Sequence, residues 1–144
     1  AAVIIAESIS KLKPDDAVRL KKNANDFKTL LETKVNEWKE RIKKSGIQNV
    51  ITHHKTLTYF LDRFSIKNPI FLEPKPGIPP TSSHLIEVIR VIKNQKIKLI
   101  LVENYFDAGN SKKIQSDAPE VKFVSVPVSV DGDTRIKNLT DLYE

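Results

Sequence analysis

Val50-Ile51-Thr52-His53-His54-Lys55-Thr56-Leu57-Thr58-Tyr59-Phe60 is the stretch on which the reading of the chain turns. A short β-branched apolar run gives way, at two adjacent histidines, to apolar positions at Leu57, Phe60, Leu61 and Phe64, the spacing of an amphipathic helix. This predicts a strand passing directly into a helix, with both imidazoles at the carboxyl end of the strand. Ligands of open α/β sheets bind beyond the carboxyl ends of the strands, so two of the three histidines fall where binding chemistry is expected.

Downstream, short apolar runs predict further strands at roughly 69–72, 98–102 and 121–126 beside the first at about 48–52, with helices at about 54–64, 82–94 and 108–117. The connections are long enough for crossovers, so the expected architecture is α/β with a four-stranded parallel sheet and flanking helices. Upstream, residues 1 to 11 read as the end of a helix, interrupted by Lys13-Pro14-Asp15-Asp16. Proline and acids suit a first helical turn, so the same tetrad opens the next helix. From about residue 15 to Ser45 there is no Gly or Pro, and Leu20, Ala24, Phe27, Leu31, Val35, Trp38 and Ile42 recur in steps of three and four. This predicts one helix of roughly 30 residues, about 45 Å long, ended by Gly46. Such a length exceeds local packing needs and reads as a strut continuing to something else, with a coiled coil as the other reading. The organisation is thus a helical region, 1–46, followed by an α/β lobe, 47–144.

A chain of 144 residues with 40% hydrophobic content supports one real core. The net charge of +6 raises nucleic acid as a partner. The cations of the long helix alternate with acids, as at Lys34, Glu37, Lys39, Glu40 and Arg41, and no aromatic-basic interleaving is present. A solvated helix face is the simpler reading, and no nucleic acid is expected. The absence of cysteine rules out thiolate ligands, disulfides and cysteine nucleophiles. The absence of methionine, initiator included, suggests a processed chain or a piece of a longer one. The opening apolar run is too short to span a bilayer and lacks a signal-peptide pattern, so any export signal is expected upstream. No GxSxG elbow or glycine-rich phosphate loop occurs, and an enzyme is not expected.

The residues that follow each predicted strand are His53 and His54, then Glu73, then Glu103, then Pro127-Val128-Ser129-Val130-Asp131-Gly132-Asp133. Imidazole and carboxylate groups collect along one sheet edge, a donor set compatible with Zn²⁺ or Mn²⁺. His54 reads equally as a capping or core histidine, and His84 as a surface or supporting residue. Glu103, after the apolar Leu99-Ile100-Leu101-Val102, needs a metal, a hydrogen-bond donor or a cation as partner. The stretch Glu73 to Pro80 holds four of the eight prolines and reads as a stiff extended connection, either a wall beside a site or only a long loop.

Val50-Ile-Thr-His-His54-Lys55 through Tyr59-Phe60, Glu73-Pro-Lys-Pro-Gly-Ile-Pro-Pro80 followed by His84-Leu85, and Val102-Glu-Asn-Tyr-Phe-Asp107 together resemble the solute-binding proteins of zinc and manganese ABC transporters. The resemblance implies two α/β lobes joined by a long rigid helix with the metal between them, of which this chain matches the helix and the carboxy-terminal lobe. It implies an ABC permease as partner, a periplasmic or cell-surface location, and an amino-terminal lobe that is missing here. His54 matches the family's carboxy-lobe histidine ligand, and His53 a variable position. Where the family has an Asp ligand, three residues before a glycine, this chain has Ser129 ahead of Gly132. Three fillings stay open: Asp131 substitutes, Glu103 contributes, or water takes the place. The expected metal ligands are therefore His54, Asp131 and Glu103, holding Zn²⁺ or Mn²⁺ weakly or not at all in this chain alone, since one imidazole and a carboxylate do not complete a tetrahedral site. The alternative function is self-association through apolar faces of the long helix or of residues 1 to 11.

Overall fold

The structure, a computed structural model, describes residues 1–75, 77–105 and 111–144, with only the backbone of 111 and 112. The chain forms two compact units, Ala1–Gly46 and Ile47–Glu144.

In the first unit, helix α1 (Ala2–Leu12) packs against helix α2 (Ala17–Ser45), and a 3₁₀ turn, Pro14–Asp16, joins them. Pro14 at the start of this turn leaves no N–H unsatisfied. Along α2, pairs at i,i+3 and i,i+4 spacing, such as Lys22–Asp26 at 2.6 Å and Lys34–Glu37 at 3.2 Å, tie charges together on the exposed side. Gly46 ends the helix in the left-handed region at φ 70°, where its N–H bonds the Lys43 carbonyl.

The second unit is built on strands β1 (Ile51–Thr52), β2 (Leu99–Glu103) and β3 (Lys122–Val126), in the order β1-β2-β3 and parallel throughout. Helix α3 (Thr58–Arg63) follows β1 after a 3₁₀ turn at Lys55–Leu57. Helices α4 (Ser82–Gln95) and α5 (Ser111–Asp117) fall between the later strands, and α6 (Leu139–Tyr143) comes last. Alternation along β2 sends Ile100 and Val102 into the core, where they join Leu85, Val88, Ile89 and Ile92 of α4 and Ile114 of α5. Thr81 caps α4 by accepting from the His84 N–H.

The sheet has three strands and not the expected four. Residues 67–72 run parallel to residues 49–52 but contribute only isolated bridges among the described residues, Asn49 with Lys67 and Thr52 with Phe71. Between these bridges the pairing slips by one residue, and Pro69, which has no N–H, sits within the slip. The Asn68 amide bonds the Thr52 hydroxyl there, at 2.6 Å, in place of a backbone rung. A one-residue bulge therefore breaks what would have been the fourth strand. The helix expected at 108–117 is seen from Ser111, and residues 108–110 lie outside the described residues.

Ile100 is fully buried in this core, whereas Ile86 on α4 is 63% exposed. Ile100→Ala is expected to lower unfolding stability by about 2–5 kcal/mol in urea titrations, and Ile86→Ala by less than about 0.5 kcal/mol.

Candidate metal centre

The backbone of His53 is fixed on both sides. Its N–H bonds the Leu101 carbonyl of β2 at 2.9 Å, and its carbonyl accepts from the Glu73 N–H at 3.0 Å. His54, next in the chain, is extended at φ −121° and begins the 3₁₀ turn that leads to α3. The Thr52 hydroxyl bonds the His54 carbonyl at 2.7 Å. Strand, turn and the segment before the proline-rich loop therefore converge at the two histidines.

His53, His54, Glu73 and Glu103 are all buried. The Nδ1 of His54 lies 2.9 Å from the Glu73 carbonyl oxygen. A carbonyl only accepts, so Nδ1 carries the proton, and in the neutral ring Nε2 presents its lone pair. That Nε2 lies 3.0 Å from Glu73 Oε2. Two lone pairs at this distance repel, so a cation between them, a proton or a metal ion, is needed to stabilise the contact. The His53 ring stacks on that of His54 at 4.4 Å between centroids, with Nε2 3.6 Å from Glu73 Oε2 and Nδ1 4.0 Å from Glu103 Oε2. One donor atom from each of His53, His54 and Glu73 lies within 4.8 Å of the others. Glu103, at the end of β2, is wholly inaccessible, and neither carboxylate oxygen has a hydrogen-bond partner among the described residues.

The His53 pKa is pushed below its usual 6.5, first by burial and next by the neighbouring His54; the Glu73 and Glu103 carboxylates oppose the shift without reversing it.

Asp131 sits elsewhere among the described residues. It adopts φ 61° in the loop after β3, 72% of its side chain is exposed, and Oδ1 accepts from Lys137 Nζ at 3.1 Å. The loop is tied to the end of β2 by Asn104, whose amide donates to the Gly132 carbonyl at 2.6 Å. A Cβ at Gly132 would lie 2.9 Å from the Ser129 carbonyl oxygen, so this close approach requires glycine.

The family model described as zinc-uptake complex component A, periplasmic (ZnuA) matches residues 1–143. The chain belongs to the ZnuA family. Among solved structures, the laminin-binding protein Lbp of Streptococcus pyogenes superposes with a TM-score of 0.79 at 23% identity, covering 98% of this chain and 54% of that one. A Zn(II)-bound mutant variant of AdcAII from Streptococcus pneumoniae gives 0.78 at 19% identity, covering 99% of this chain and 52% of that one. The solute-binding protein FpvC of Pseudomonas aeruginosa, in complex with Mn²⁺, gives 0.72 at 26% identity, covering 98% and 52%. The chain thus spans about half the length of these structures. No curated protein sequence matches it.

Of the three residues expected as ligands in this ZnuA-family chain, His54 lies in the buried cluster and Glu103 reaches it through His53. Asp131 lies outside it, paired with Lys137. Glu73, expected at the same sheet edge and at the start of a stiff loop but not among the three ligands, faces both imidazoles. The available signal was its place after a strand-like run, which puts it beside the residue following β1 when the two segments align in parallel. His84 supports this alignment, its Nε2 lying 2.9 Å from the Phe71 carbonyl oxygen.

A lowered folded-state pKa at His53 means the unfolded chain binds the extra proton more readily. The stability this contributes is complete above pH 6.5 and is lost as pH falls through the folded value. With chelator present, urea midpoints are expected to fall on acidification below pH 6.5, and His53→Gln to flatten that part of the profile.

Proposed function

We propose that this chain is the metal-capturing carboxy-terminal part of an ABC-importer solute-binding protein. Residues 1–46 serve as the connecting helical region and 47–144 as one of two lobes between which Zn²⁺ or Mn²⁺ is held. It works outside the cytoplasm and delivers its cargo to a membrane permease, without catalysis of its own. The observation that carries this reading is the His54 ring, whose Nδ1–H is committed to the Glu73 carbonyl while Nε2 points at a buried carboxylate. Metal-binding histidines are held in this way, with one ring nitrogen donating to an acceptor and the other turned to the metal. The Zn(II)- and Mn²⁺-bound relatives support the choice of cargo. Glu103 contributes through its proximity to His53, and Asp131 joins the ligands on release from Lys137.

The test is growth in zinc-chelated medium of a strain lacking the gene for this chain. The unaltered gene is expected to restore zinc-dependent growth, and the His54→Ala form to fail at equal protein level. Equal rescue by both would remove His54 from the site.

Self-association remains a second reading because Ile4, Ile5, Leu12 and Val18 are 56% to 83% exposed. On that reading light scattering finds a dimer or larger species that Ile4→Glu and Leu12→Glu together dissociate; a strict monomer at all concentrations removes it.

A further inference from the structure

The expectation of weak metal binding rests on a single imidazole in this half of the protein. The described residues place two there. His53 and His54 are oriented alike: each has Nε2 facing the same carboxylate oxygen, Glu73 Oε2, at 3.6 and 3.0 Å, and each has Nδ1 facing an acceptor. For His54 that acceptor is the Glu73 carbonyl, hydrogen-bonded at 2.9 Å, and for His53 it is Glu103 Oε2, at an ion-pair distance of 4.0 Å that is longer than a hydrogen bond. Two imidazoles with acceptors behind and one shared oxygen in front have the layout of metal ligands with their orienting partners.

Spacing supports the same conclusion. Donors bound at about 2.0–2.1 Å to a tetrahedral zinc lie about 3.3 Å from one another. The two observed nitrogen-to-oxygen separations, 3.0 and 3.6 Å, bracket that length. One donor atom from each of the three residues lies within 4.8 Å of the others, close enough for one ion to reach all three.

An independent observation comes from Glu103. Its carboxylate is fully buried without a hydrogen-bond partner among the described residues, and it is directed at His53. Together with Glu73 it places two carboxylates in a buried cluster, and no Lys or Arg is ion-paired with either among the described residues. Buried carboxylates placed in this way need a proton or a metal cation to offset them.

We propose that His53 Nε2, His54 Nε2 and Glu73 Oε2 form a three-donor zinc site complete within residues 47–144, with Glu103 as the outer acceptor that orients His53. This deepens the capture reading and rests on it. Two nitrogens and one oxygen leave a fourth tetrahedral position for water or for a ligand from another part of the full protein. The donor set favours Zn²⁺ over Mn²⁺, which prefers a larger number of oxygen ligands.

The chain as given is titrated with Zn²⁺ against a competing chelator, with circular-dichroism melting to confirm that each variant is folded. The unaltered chain is expected to bind one Zn²⁺, and His53→Gln, His54→Ala and Glu73→Gln each to weaken binding at least ten-fold. Substitution with Co²⁺ is expected to give an intense visible band of four-coordinate geometry that His53→Gln alters. If His54→Ala weakens binding while His53→Gln and Glu73→Gln stay within two-fold, the three-donor site is wrong and the capture reading stands. No binding by the unaltered chain also overturns the three-donor site. Tight binding that survives His54→Ala overturns both.

Discussion

The arrangement at the strand ends depends on Glu73 and, above all, on its backbone. Its N–H bonds the carbonyl of one histidine, and its carbonyl accepts from the ring of the next. These two hydrogen bonds align a segment nineteen residues downstream of His54 against the end of β1 and fix a ring tautomer as they do so. The carboxylate of the same residue lies against both imidazoles. The bulge at Pro69 is a precondition. Side chains alternate along an extended segment, so a one-residue change of register exchanges which face they occupy. Had the pairing of Asn49 with Lys67 continued unslipped, Leu72 and not Glu73 would have been presented at that rung. The irregularity that costs the sheet a strand is what brings an acid to the histidines.

Apolar burial and polar clustering are separated in this unit. The isoleucine and valine layer between β2 and α4 supplies apolar burial, while the cluster at the strand ends gathers two acids and two imidazoles out of water. Such a cluster opposes folding unless its charges are offset, and a well-packed core is what tolerates it. The short β1, only Ile51 and Thr52, can end in such a cluster because backbone bonds to Leu101 and Glu73 extend the alignment beyond the strand proper.

Much of this was legible in the sequence. The 3.6-residue stripe from Leu20 to Ile42 and the stop at Gly46 specify a long helix with little ambiguity, because both signals are local. The three ladder-forming strands and the position of His54 at a strand end follow equally from local pattern. The break at residues 69–72 was signalled by Pro69 but masked by the apolar residues around it. Helix α6 was also missed, although Asn138 and Asp141 form a capping box of readable spacing. The placement of His53 and Glu73 around one another was hidden for a different reason. It depends on lateral pairing between distant segments, and periodicity along one segment carries no information about its neighbour's register.

A cluster made solely of imidazole and carboxylate groups has a chemical consequence of its own. With no sulfur anywhere in the chain, none of its donors can be lost to thiol oxidation. Nitrogen and oxygen donors of this type follow the Irving–Williams order, in which Cu²⁺ outranks Zn²⁺. Discrimination against copper therefore has to come from enforced geometry or from the supply of free ions around the protein. A metal held by such a cluster would be safe from loss through thiol oxidation and, by the same choice of donors, open to displacement by copper.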